Sequence, residues 1–409
     1  MKFLNCRMCE SSNLELFLEL GFIPLVDHFL TQEELNEPEI LYPLNLRICN
    51  DCGLVQLGYI VPAEKLYNEN YAYESGTTTK RRESYLELAT YVCKNFDIPT
   101  NSLVVDIGSN VGVLLECFKS NGMKILGIDP SGNVVKIANS KGIETLEGFF
   151  NSKMMKKILS SKPKPHVVTA TNLFAHIQNY KLFIEDLKNF MREDGIFVFQ
   201  VPHFLHLLNN LEYDTIYHEH ISYFGLKPLM KFFKKFDMEI FDVLETDIDG
   251  GSIRCFVGRI ELREVSNNVN TILEKEEKSQ IYSKEKLKKF AIDVKNQKKQ
   301  LKNLLISLKQ DNKRIVGLSA PAKGMTLLNY CKIDNHILDY VTEKSELKIG
   351  KYTPGMHIYV EPDQKLLEDK PDYALILAWN FAEEIMKNLE DFHKAGGKFI
   401  VPIPFPKII

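Results

Sequence analysis

The sequence predicts an α/β protein with a small metal-binding part in front of two Rossmann-like parts. Two C-x-x-C pairs near the N-terminus indicate the metal-binding part. From Leu103 to Ile128, an apolar strand, a glycine-rich loop, an apolar helix and a second strand follow one another, and a similar run begins at Arg314. We therefore expect a zinc-binding domain, a central Rossmann-like domain, a connecting helical segment and a C-terminal Rossmann-like α/β domain, at residues 1–75, 76–260, 261–312 and 313–409.

The composition is that of an ordinary globular protein. The 409 residues are 44% hydrophobic and 26% charged, and 51 basic against 54 acidic side chains give a net charge of −3. This balance argues against a general nucleic-acid or membrane surface. No apolar stretch is long enough to span a bilayer, and the N-terminus lacks the pattern of a signal peptide. We therefore expect a cytoplasmic protein and, because no apolar seam is left over, a monomer.

The two cysteine pairs predict a structural zinc site. Cys6 and Cys9 form one C-x-x-C pair, and Cys49 and Cys52 form the other. Each pair offers two thiolates on one tight turn, and two pairs complete a tetrahedral site. Four thiolates leave no open coordination position, so the zinc is expected to be structural. The alternative, a set of unrelated thiols, is disfavoured by the paired spacing.

Residues 103–115 carry the strongest local signal for a cofactor. An apolar strand ends in the pattern D-x-G-x-x-x-G, and glycines at such a turn let a ligand approach the backbone where a helix begins. The spacing is not G-x-G-x-x-G, so a dinucleotide is not the first expectation. A second strand ends in Asp129, where an acid suits the hydroxyls of a ribose. The candidate cofactor residues here are Asp106, Gly108, Ser109, Asn110, Gly112, Asp129 and Pro130.

This loop and acid resemble those of class I S-adenosylmethionine-dependent methyltransferases; the alternative is a doubly wound domain with only a glycine turn. Further residues follow the ends of the next strands, where ligands bind in such sheets. These are Asn172, His176, Gln200 and His203. Phe149 or Phe150 would stack on adenine, and a core position is an equal alternative for either ring.

The segment Ile216–Phe224 sets two imidazoles, a carboxylate and two phenols within a few residues, which no packing rule requires. General acid–base chemistry does require such groups, because imidazole titrates near neutral pH. In an extended segment Tyr217 and Glu219 would face one way, and His218 and His220 the other. In a helix His220 would instead share a face with Tyr217. A polar turn with one buried histidine is the alternative to an active site.

Beyond residue 260, Lys, Glu and Gln dominate, and leucines recur at helical spacing, which predicts a long amphipathic connecting helix.

The strand that begins at Arg314 runs into the loop Ser319–Gly324 at the start of a helix. Free amides at a helix start bind phosphate, and Lys323 adds charge, so the loop would suit a diphosphate. On these residues alone, a close-packed turn is an equal alternative. A later strand places Asn380 at the last crevice.

Several motifs occur in the order found in one known family. They are the two cysteine pairs, V-D-I-G-S-N-V-G, G-F-F, N-L-F-A-H-I, I-Y-H-E-H-I-S-Y-F, D-G-G-S-I-R and S-A-P-A-K-G-M-T-L-L-N-Y. The chain resembles, nearly end to end, the sugar C-methyltransferases that act on nucleotide-linked 4-keto-deoxysugars. The resemblance implies that the middle domain binds S-adenosylmethionine, and that thymidine diphosphate carries the sugar. It also implies that a histidine of Y-H-E-H removes the proton from carbon 3, and that the enolate takes the methyl group.

The resemblance assigns roles to individual residues. His220 would be the base, Glu219 and Tyr217 would orient the sugar or stabilise the enolate oxygen, and His176 would donate to that oxygen. The sulfonium supplies the leaving group, so no catalytic metal is expected. Substrate contacts are expected at Tyr71 or Tyr73 and at Gln200, His203, Arg254, Lys323 and Asn380.

The chain departs from the family pattern at three positions. Asp249 stands where a histidine is expected, Gln200 where an acid is common, and Glu343 where an aspartate is usual. These departures bear on the substrate more than on the reaction. Two alternative functions stay open: an O- or N-methyltransferase on the same scaffold, and a zinc-ribbon protein that binds a partner or nucleic acid.

Overall fold

The computed structural model describes residues 5–66, 75–76 and 78–409. In chain order, its strands are β1 (Leu14–Ile23), β2 (Tyr42–Cys49), β3 (Val55–Leu57), β4 (Leu103–Ile107), β5 (Lys124–Asp129), β6 (Thr145–Glu147), β7 (Val167–Thr171), β8 (Ile196–Pro202), β9 (Ser222–Tyr223), β10 (Met238–Thr246), β11 (Ser252–Arg259), β12 (Ile315–Leu318), β13 (Val341–Glu343), β14 (Val360–Pro362), β15 (Tyr373–Ile376), β16 (Lys398–Val401) and β17 (Lys407–Ile408).

Its α-helices are α1 (Ala63–Leu66), α2 (Thr79–Asn95), α3 (Val113–Ser120), α4 (Gly132–Ser140), α5 (Ser152–Leu159), α6 (Tyr180–Phe190), α7 (Phe204–Asn209), α8 (Leu226–Lys234), α9 (Asn267–Lys278), α10 (Lys284–Gln310), α11 (Ala322–Cys331), α12 (Gln364–Asp369), α13 (Ala382–Asn388) and α14 (Glu390–Lys394). Short 3₁₀ turns occupy Glu34–Asn36, Phe174–His176, Tyr213–Thr215, Ile248–Gly250 and Trp379–Phe381.

The central sheet has seven strands in the order β10-β11-β8-β7-β4-β5-β6. The five neighbouring strands β6, β5, β4, β7 and β8 are parallel. Strand β11 pairs antiparallel with β8, and β10 pairs antiparallel with β11. Every residue of β4 is buried, as expected for a strand of a parallel sheet covered on both faces. The strand order reverses between β4 and β7, which is where ligands bind in such sheets.

The C-terminal sheet repeats this plan with six strands, in the order β14-β13-β12-β15-β16-β17. All pairs are parallel except the last. The strand order reverses between β12 and β15, so this sheet also has a ligand-binding edge. The predicted α/β class is therefore confirmed for both parts of the chain.

The N-terminal sheet is antiparallel, and its last strand comes from the middle of the chain. Its order is β1-β2-β3-β9. Strand β9 pairs Tyr223 with Val55 and Ser222 with Gln56. The segment with Y-H-E-H is thus fixed to the cysteine-bearing sheet, which the sequence analysis did not anticipate.

The connecting segment differs from the prediction of one long helix. It forms two helices, α9 and α10, separated by a turn at residues 279–283. Ser283 precedes α10, and its hydroxyl caps the helix by accepting from the Lys286 amide at 3.2 Å. Its apolar stripe, including Leu287, Val294 and Leu301, belongs to one core that runs from the N-terminal sheet across α7 to α11. The proposed division into four segments stays a prediction.

In the part of the chain that the structure describes, no helix combines the length and the apolar composition that crossing a membrane requires.

Candidate active site

A cavity of about 1110 Å³ lies between the carboxyl ends of strands in the two parallel sheets. Single small-molecule pockets usually enclose roughly 300–1,000 Å³, so this cavity is slightly larger than most of them. Of the residues singled out in the sequence, its wall contains Asp106, Gly108, Ser109, Asn110, Asp129, Pro130, Phe149, Phe150, Asn172, His176, Tyr217, Glu219, His220, Lys323 and Asn380.

The four paired cysteines lie together outside this cavity. The Sγ atoms of Cys6 and Cys52 are 3.5 Å apart, as are those of Cys9 and Cys49, and all four lie within 4.8 Å of one another. Sulfurs that share a zinc ion through bonds of about 2.3 Å lie about 3.8 Å apart, so the four thiols fit that ion. A hydrogen bond from Cys52 lowers the pKa of the Cys6 thiol, whereas burial raises the pKa of the Cys9 thiol.

The glycine loop carries β4 into α3 at the cavity floor. Gly108 has φ +74°, and its amide donates to the Ile128 carbonyl at 2.8 Å. Asp106 accepts from the Thr169 hydroxyl at 2.6 Å, and burial raises the pKa of its carboxyl to about 7. Ser109 Oγ is buried and has no hydrogen-bond partner among the described residues.

Asp129 ends β5 beside this loop. Its two carboxylate oxygens accept from the amides of Asn110 and Ser131, each at 2.9 Å. These bonds fix the carboxylate at the cavity wall and oppose the burial that raises its pKa. The Ser131 hydroxyl, like that of Ser109, is buried without a hydrogen-bond partner among the described residues. Two orphaned hydroxyls beside a fixed carboxylate fit the ribose and amino-acid groups of S-adenosylmethionine.

Phe149 and Phe150 differ in their surroundings. Phe149 is 43% exposed at the cavity wall. The Phe150 ring packs against Phe183 and Phe190, with centroids 5.5 and 5.4 Å away. Phe149 is therefore the ring with a free face for adenine.

His220 is the imidazole of Y-H-E-H that faces the cavity. The segment forms a turn in which the His220 amide donates to the Tyr217 carbonyl at 3.0 Å, so these two side chains share one side. His220 Nδ1 lies 2.9 Å from the Thr215 carbonyl oxygen, and Nε2 lies 2.8 Å from the Tyr217 hydroxyl. A carbonyl only accepts, so Nδ1 carries the proton and Nε2 accepts from the phenol. Burial lowers the pKa of His220 to about 4, which keeps the ring neutral.

Two other catalytic candidates stand beside His220. The ring centroid of His176 is 5.1 Å from that of His220, and burial holds the pKa of His176 well below its ordinary value. Glu219 is buried at the cavity wall. His218 instead packs against the Tyr42 ring at 5.7 Å, outside the cavity wall. The turn thus places His220 at the cavity wall and His218 away from it.

Asp249 and Asn172 form another section of wall. The turn at Ile248–Gly250 holds Asp249 at φ +60°, and its carboxylate accepts from Arg81 and, at 3.1 Å, from Asn172 Nδ2. Arg81 and Asn172 hold the pKa of this carboxyl low against its burial. Arg81 lies on α2, far from Asp249 in sequence, and no local pattern indicated its place in the site.

The C-terminal part contributes a further section of the cavity wall, including Lys323 and Asn380. Lys323 Nζ lies 5.0 Å from the centre of the Trp379 ring and has no hydrogen-bond partner among the described residues. Trp379 Nε1 donates to Asp214 at 2.6 Å, and Asp214 lies in the turn that presents the Thr215 carbonyl to His220. Burial raises the pKa of Asp214 to about 6. The C-terminal part therefore supports the turn that orients His220.

Four predicted site residues do not line the cavity. Gln200 accepts from Arg254 Nε at 2.8 Å, and Arg254 donates to the Ser84 carbonyl at 2.7 Å, so both side chains tie the sheet to α2. His203 is fully buried against Glu276. At Gly112, a Cβ would lie 2.6 Å from Ile143, so this glycine serves packing at the start of α3. These four positions lie away from the cavity wall, and their predicted roles in binding stay predictions.

The two substrate-binding candidates Tyr71 and Tyr73 lie outside the described residues.

Three family models match consecutive parts of the chain. They are a zinc-binding domain over residues 6–67, a methyltransferase domain over 79–243 and a C-methyltransferase C-terminal domain over 247–404. The C-methyltransferase NovU of Streptomyces niveus is 31% identical over 405 residues, which are 99% of this chain and 96% of NovU.

Solved structures match less than half of the chain at low identity. A magnesium protoporphyrin IX methyltransferase (ChlM) from Synechocystis PCC 6803 with bound SAM is 14% identical, with a TM-score of 0.33, over 44% of this chain and 79% of ChlM. An S-adenosylmethionine-dependent methyltransferase from Clostridium acetobutylicum ATCC 824 is 14% identical, with a TM-score of 0.35, over 44% of this chain and 92% of its own.

Proposed function

This chain belongs to the S-adenosylmethionine-dependent C-methyltransferases, and we propose that it methylates carbon 3 of a nucleotide-linked 4-keto-deoxysugar, with thymidine diphosphate as the nucleotide. Its cofactor is S-adenosylmethionine, and its four paired cysteines hold a structural zinc ion. When bound, S-adenosylmethionine supplies an electrophilic methyl group. The chain's own residues must then produce a carbon nucleophile beside that group.

The observation that carries the proposal is the hydrogen bonding of His220. Its Nδ1–H donates to the Thr215 carbonyl, which leaves the lone pair on Nε2 directed toward the Tyr217 hydroxyl at the cavity wall. Low pKa keeps the ring neutral at neutral pH, so Nε2 is available as a base. Methyl transfer to oxygen needs no C–H cleavage, whereas transfer to carbon requires a base of this kind.

Tyr217 serves as the partner of the base. Its hydroxyl donates to His220 Nε2 at 2.8 Å. As Nε2 takes the proton from carbon 3, the phenol turns its proton to the 4-keto oxygen, where negative charge develops. Burial raises the pKa of Tyr217 well above its ordinary value, so it stays a donor. His176 is neutral, and its ring centroid lies 5.1 Å from that of His220. It provides a second donor for that oxygen.

The other end of the substrate is assigned to the C-terminal part. The loop Ser319–Gly324 opens α11, and Lys348 Nζ holds its Ala320 carbonyl at 2.8 Å. Lys323 lies at the cavity wall with its ammonium group unused by hydrogen bonds within the described chain. A diphosphate placed here would form an ion pair with the Lys323 ammonium group and would accept hydrogen bonds from the backbone amides of the loop. Asn380 lines the same end.

The test is mass spectrometry of 4-keto-deoxysugars linked to thymidine diphosphate or uridine diphosphate, incubated with enzyme and S-adenosylmethionine. The wild type should add one methyl group, and His220→Asn should add none while binding the cofactor normally. His336→Asn, an exposed histidine outside the site, is the matched control and should behave as the wild type. No methyl gain across the panel, or retained turnover in His220→Asn, would count against the proposal.

A further inference from the structure

A second group of possible metal ligands lies behind the cavity wall. His203 immediately precedes α7, His206 lies in the first turn of α7, and Glu245 is on β10. One ligand atom from each lies within 4.8 Å of the others, and His206 Nε2 is 3.5 Å from Glu245 Oε1. None of these side chains belongs to the cysteine site or lines the cavity.

The hydrogen bonding of His203 leaves one ring nitrogen with an unused lone pair. His203 is fully buried, and its Nε2 lies 2.9 Å from Glu276 Oε1. Glu276 also accepts from the Leu226 amide and, at 2.9 Å, from the Tyr282 hydroxyl, so it acts as an acceptor and His203 Nε2 as the donor. The other nitrogen, Nδ1, then carries the lone pair, and it has no hydrogen-bond partner among the described residues.

We propose that His203, His206 and Glu245 bind a divalent transition-metal ion, with Zn²⁺ as the reference ion. Two imidazoles and one carboxylate are a ligand set that zinc and its neighbours accept. Metal-bound histidines usually donate their second N–H to a carboxylate, as His203 does to Glu276. The side chains of His206 and Glu245 are 32% and 28% exposed, so the ion has a path of entry and water completes its coordination.

Lys275 already pairs with the Glu245 carboxylate. It forms an ion pair with Glu245, and it is 47% exposed, so it is free to turn into solvent. An ion pair alone would account for Glu245, but it leaves the buried Nδ1 of His203 without a partner. A metal ion satisfies both groups at once. The ion and Lys275 therefore compete for the same carboxylate.

The ion would brace the turn that carries Asp249. The amide of His203 donates to the Gly251 carbonyl at 3.0 Å. Gly251 lies so close to His206 that a Cβ there would be 2.5 Å from the imidazole Cγ. Fixing both histidines therefore fixes the end of this turn. The inference does not depend on which substrate is methylated.

The test counts zinc in the full chain after exposure to excess Zn²⁺ and desalting. The wild type should retain two zinc ions per chain, and His206→Asn and Glu245→Gln should each retain one, with at least about tenfold weaker binding of the second ion by calorimetry. His336→Asn should retain two. Circular dichroism checks that the variants are folded. If His206→Asn does not fold, Glu245→Gln, a substitution at a partly exposed position, still tests whether the second ion is lost.

Lys275→Ala separates the two explanations, because it leaves every ligand in place and removes the competing cation. Under the proposal it binds the second ion at least as tightly as the wild type. A single zinc ion per wild-type chain, or a second ion that persists in Glu245→Gln, would overturn the proposal.

Discussion

Arg7 Nη1 donates to Ser222 Oγ at 2.5 Å, which joins the zinc knuckle to the segment that carries the proposed base. Arg7 lies between two zinc ligands in sequence, and Ser222 is two residues beyond His220. Arg7 also donates to the Ile177 carbonyl, next to His176, and lies 4.6 Å from the centre of the Tyr180 ring. One guanidinium thus contacts Ile177, next to His176, and Ser222, two residues beyond His220.

Arg7→Ala should lower kcat by about 10- to 100-fold, because misplacing catalytic groups by about 1 Å has an effect of that order. The affinity for S-adenosylmethionine should stay the same, since Arg7 does not line the cavity. Arg263→Ala is the matched control, because Arg263 also lies over an aromatic ring and donates to a backbone carbonyl, far from the site. Steady-state kinetics and calorimetry measure both quantities. Equal kcat in Arg7→Ala and the wild type would refute this positioning role.

Tyr217→Phe should lower kcat by about 100-fold or more, the effect of removing one donor to a developing oxyanion. Exchange of the carbon 3 proton with solvent should slow as well, because the same phenol stabilises the enolate through which exchange passes. Rapid-quench kinetics measures methyl transfer, and deuterium incorporation measures proton removal. Exchange at the wild-type rate alongside impaired turnover would contradict this role of the phenol.

Asp249→Asn should reduce the free energy of unfolding by about 3 kcal/mol, because it leaves the buried guanidinium of Arg81 without its carboxylate. The two side chains are 9% and 20% exposed. Asp247→Asn is the control on the same turn, since its ion pair with Lys80 is exposed and should contribute less than about 1 kcal/mol. Urea unfolding measures both variants. Equal losses would contradict the distinction.

The stability of His220→Asn relative to the wild type should depend on pH. Burial lowers the pKa of His220 from 6.5 to about 4, so between these values the unfolded chain binds a proton that the folded chain does not. The wild type therefore loses stability as the pH falls from about 6.5 to about 4, whereas asparagine has no such effect. The variant should gain up to about 1.4 kcal/mol per pH unit relative to the wild type in this window. A pH-independent difference from urea unfolding would contradict the assignment.

The elements with strong local patterns could be predicted from the sequence. The strand at Leu103, the glycine turn and the acid at Asp129 appear as expected, because an apolar strand and a positive-φ glycine leave few other conformations. The pairing of cysteines into one cluster also appears. In each case the signal lies within a few neighbouring residues.

Long-range contacts could not be predicted. Gln200 and Arg254 were expected to contact the substrate, but Gln200 accepts from Arg254, which in turn donates to Ser84 on α2. The pairing of β9 with β3, and of Arg81 with Asp249, joins residues that are far apart in sequence. For the Y-H-E-H segment, extended and helical arrangements were both open. The observed turn brings Tyr217 to His220, as the helical one would, and buries His218 elsewhere.

The most direct measurement follows the hydrogen on carbon 3 of a 4-keto sugar nucleotide during methyl transfer. With deuterium at that carbon, the wild type should yield a methylated product that has lost the label. His220→Asn should neither methylate the substrate nor exchange the label with water, although it still binds S-adenosylmethionine. A methylated product that retains deuterium at carbon 3, or a His220→Asn variant that exchanges it, would contradict the central claim that this imidazole removes a proton from carbon.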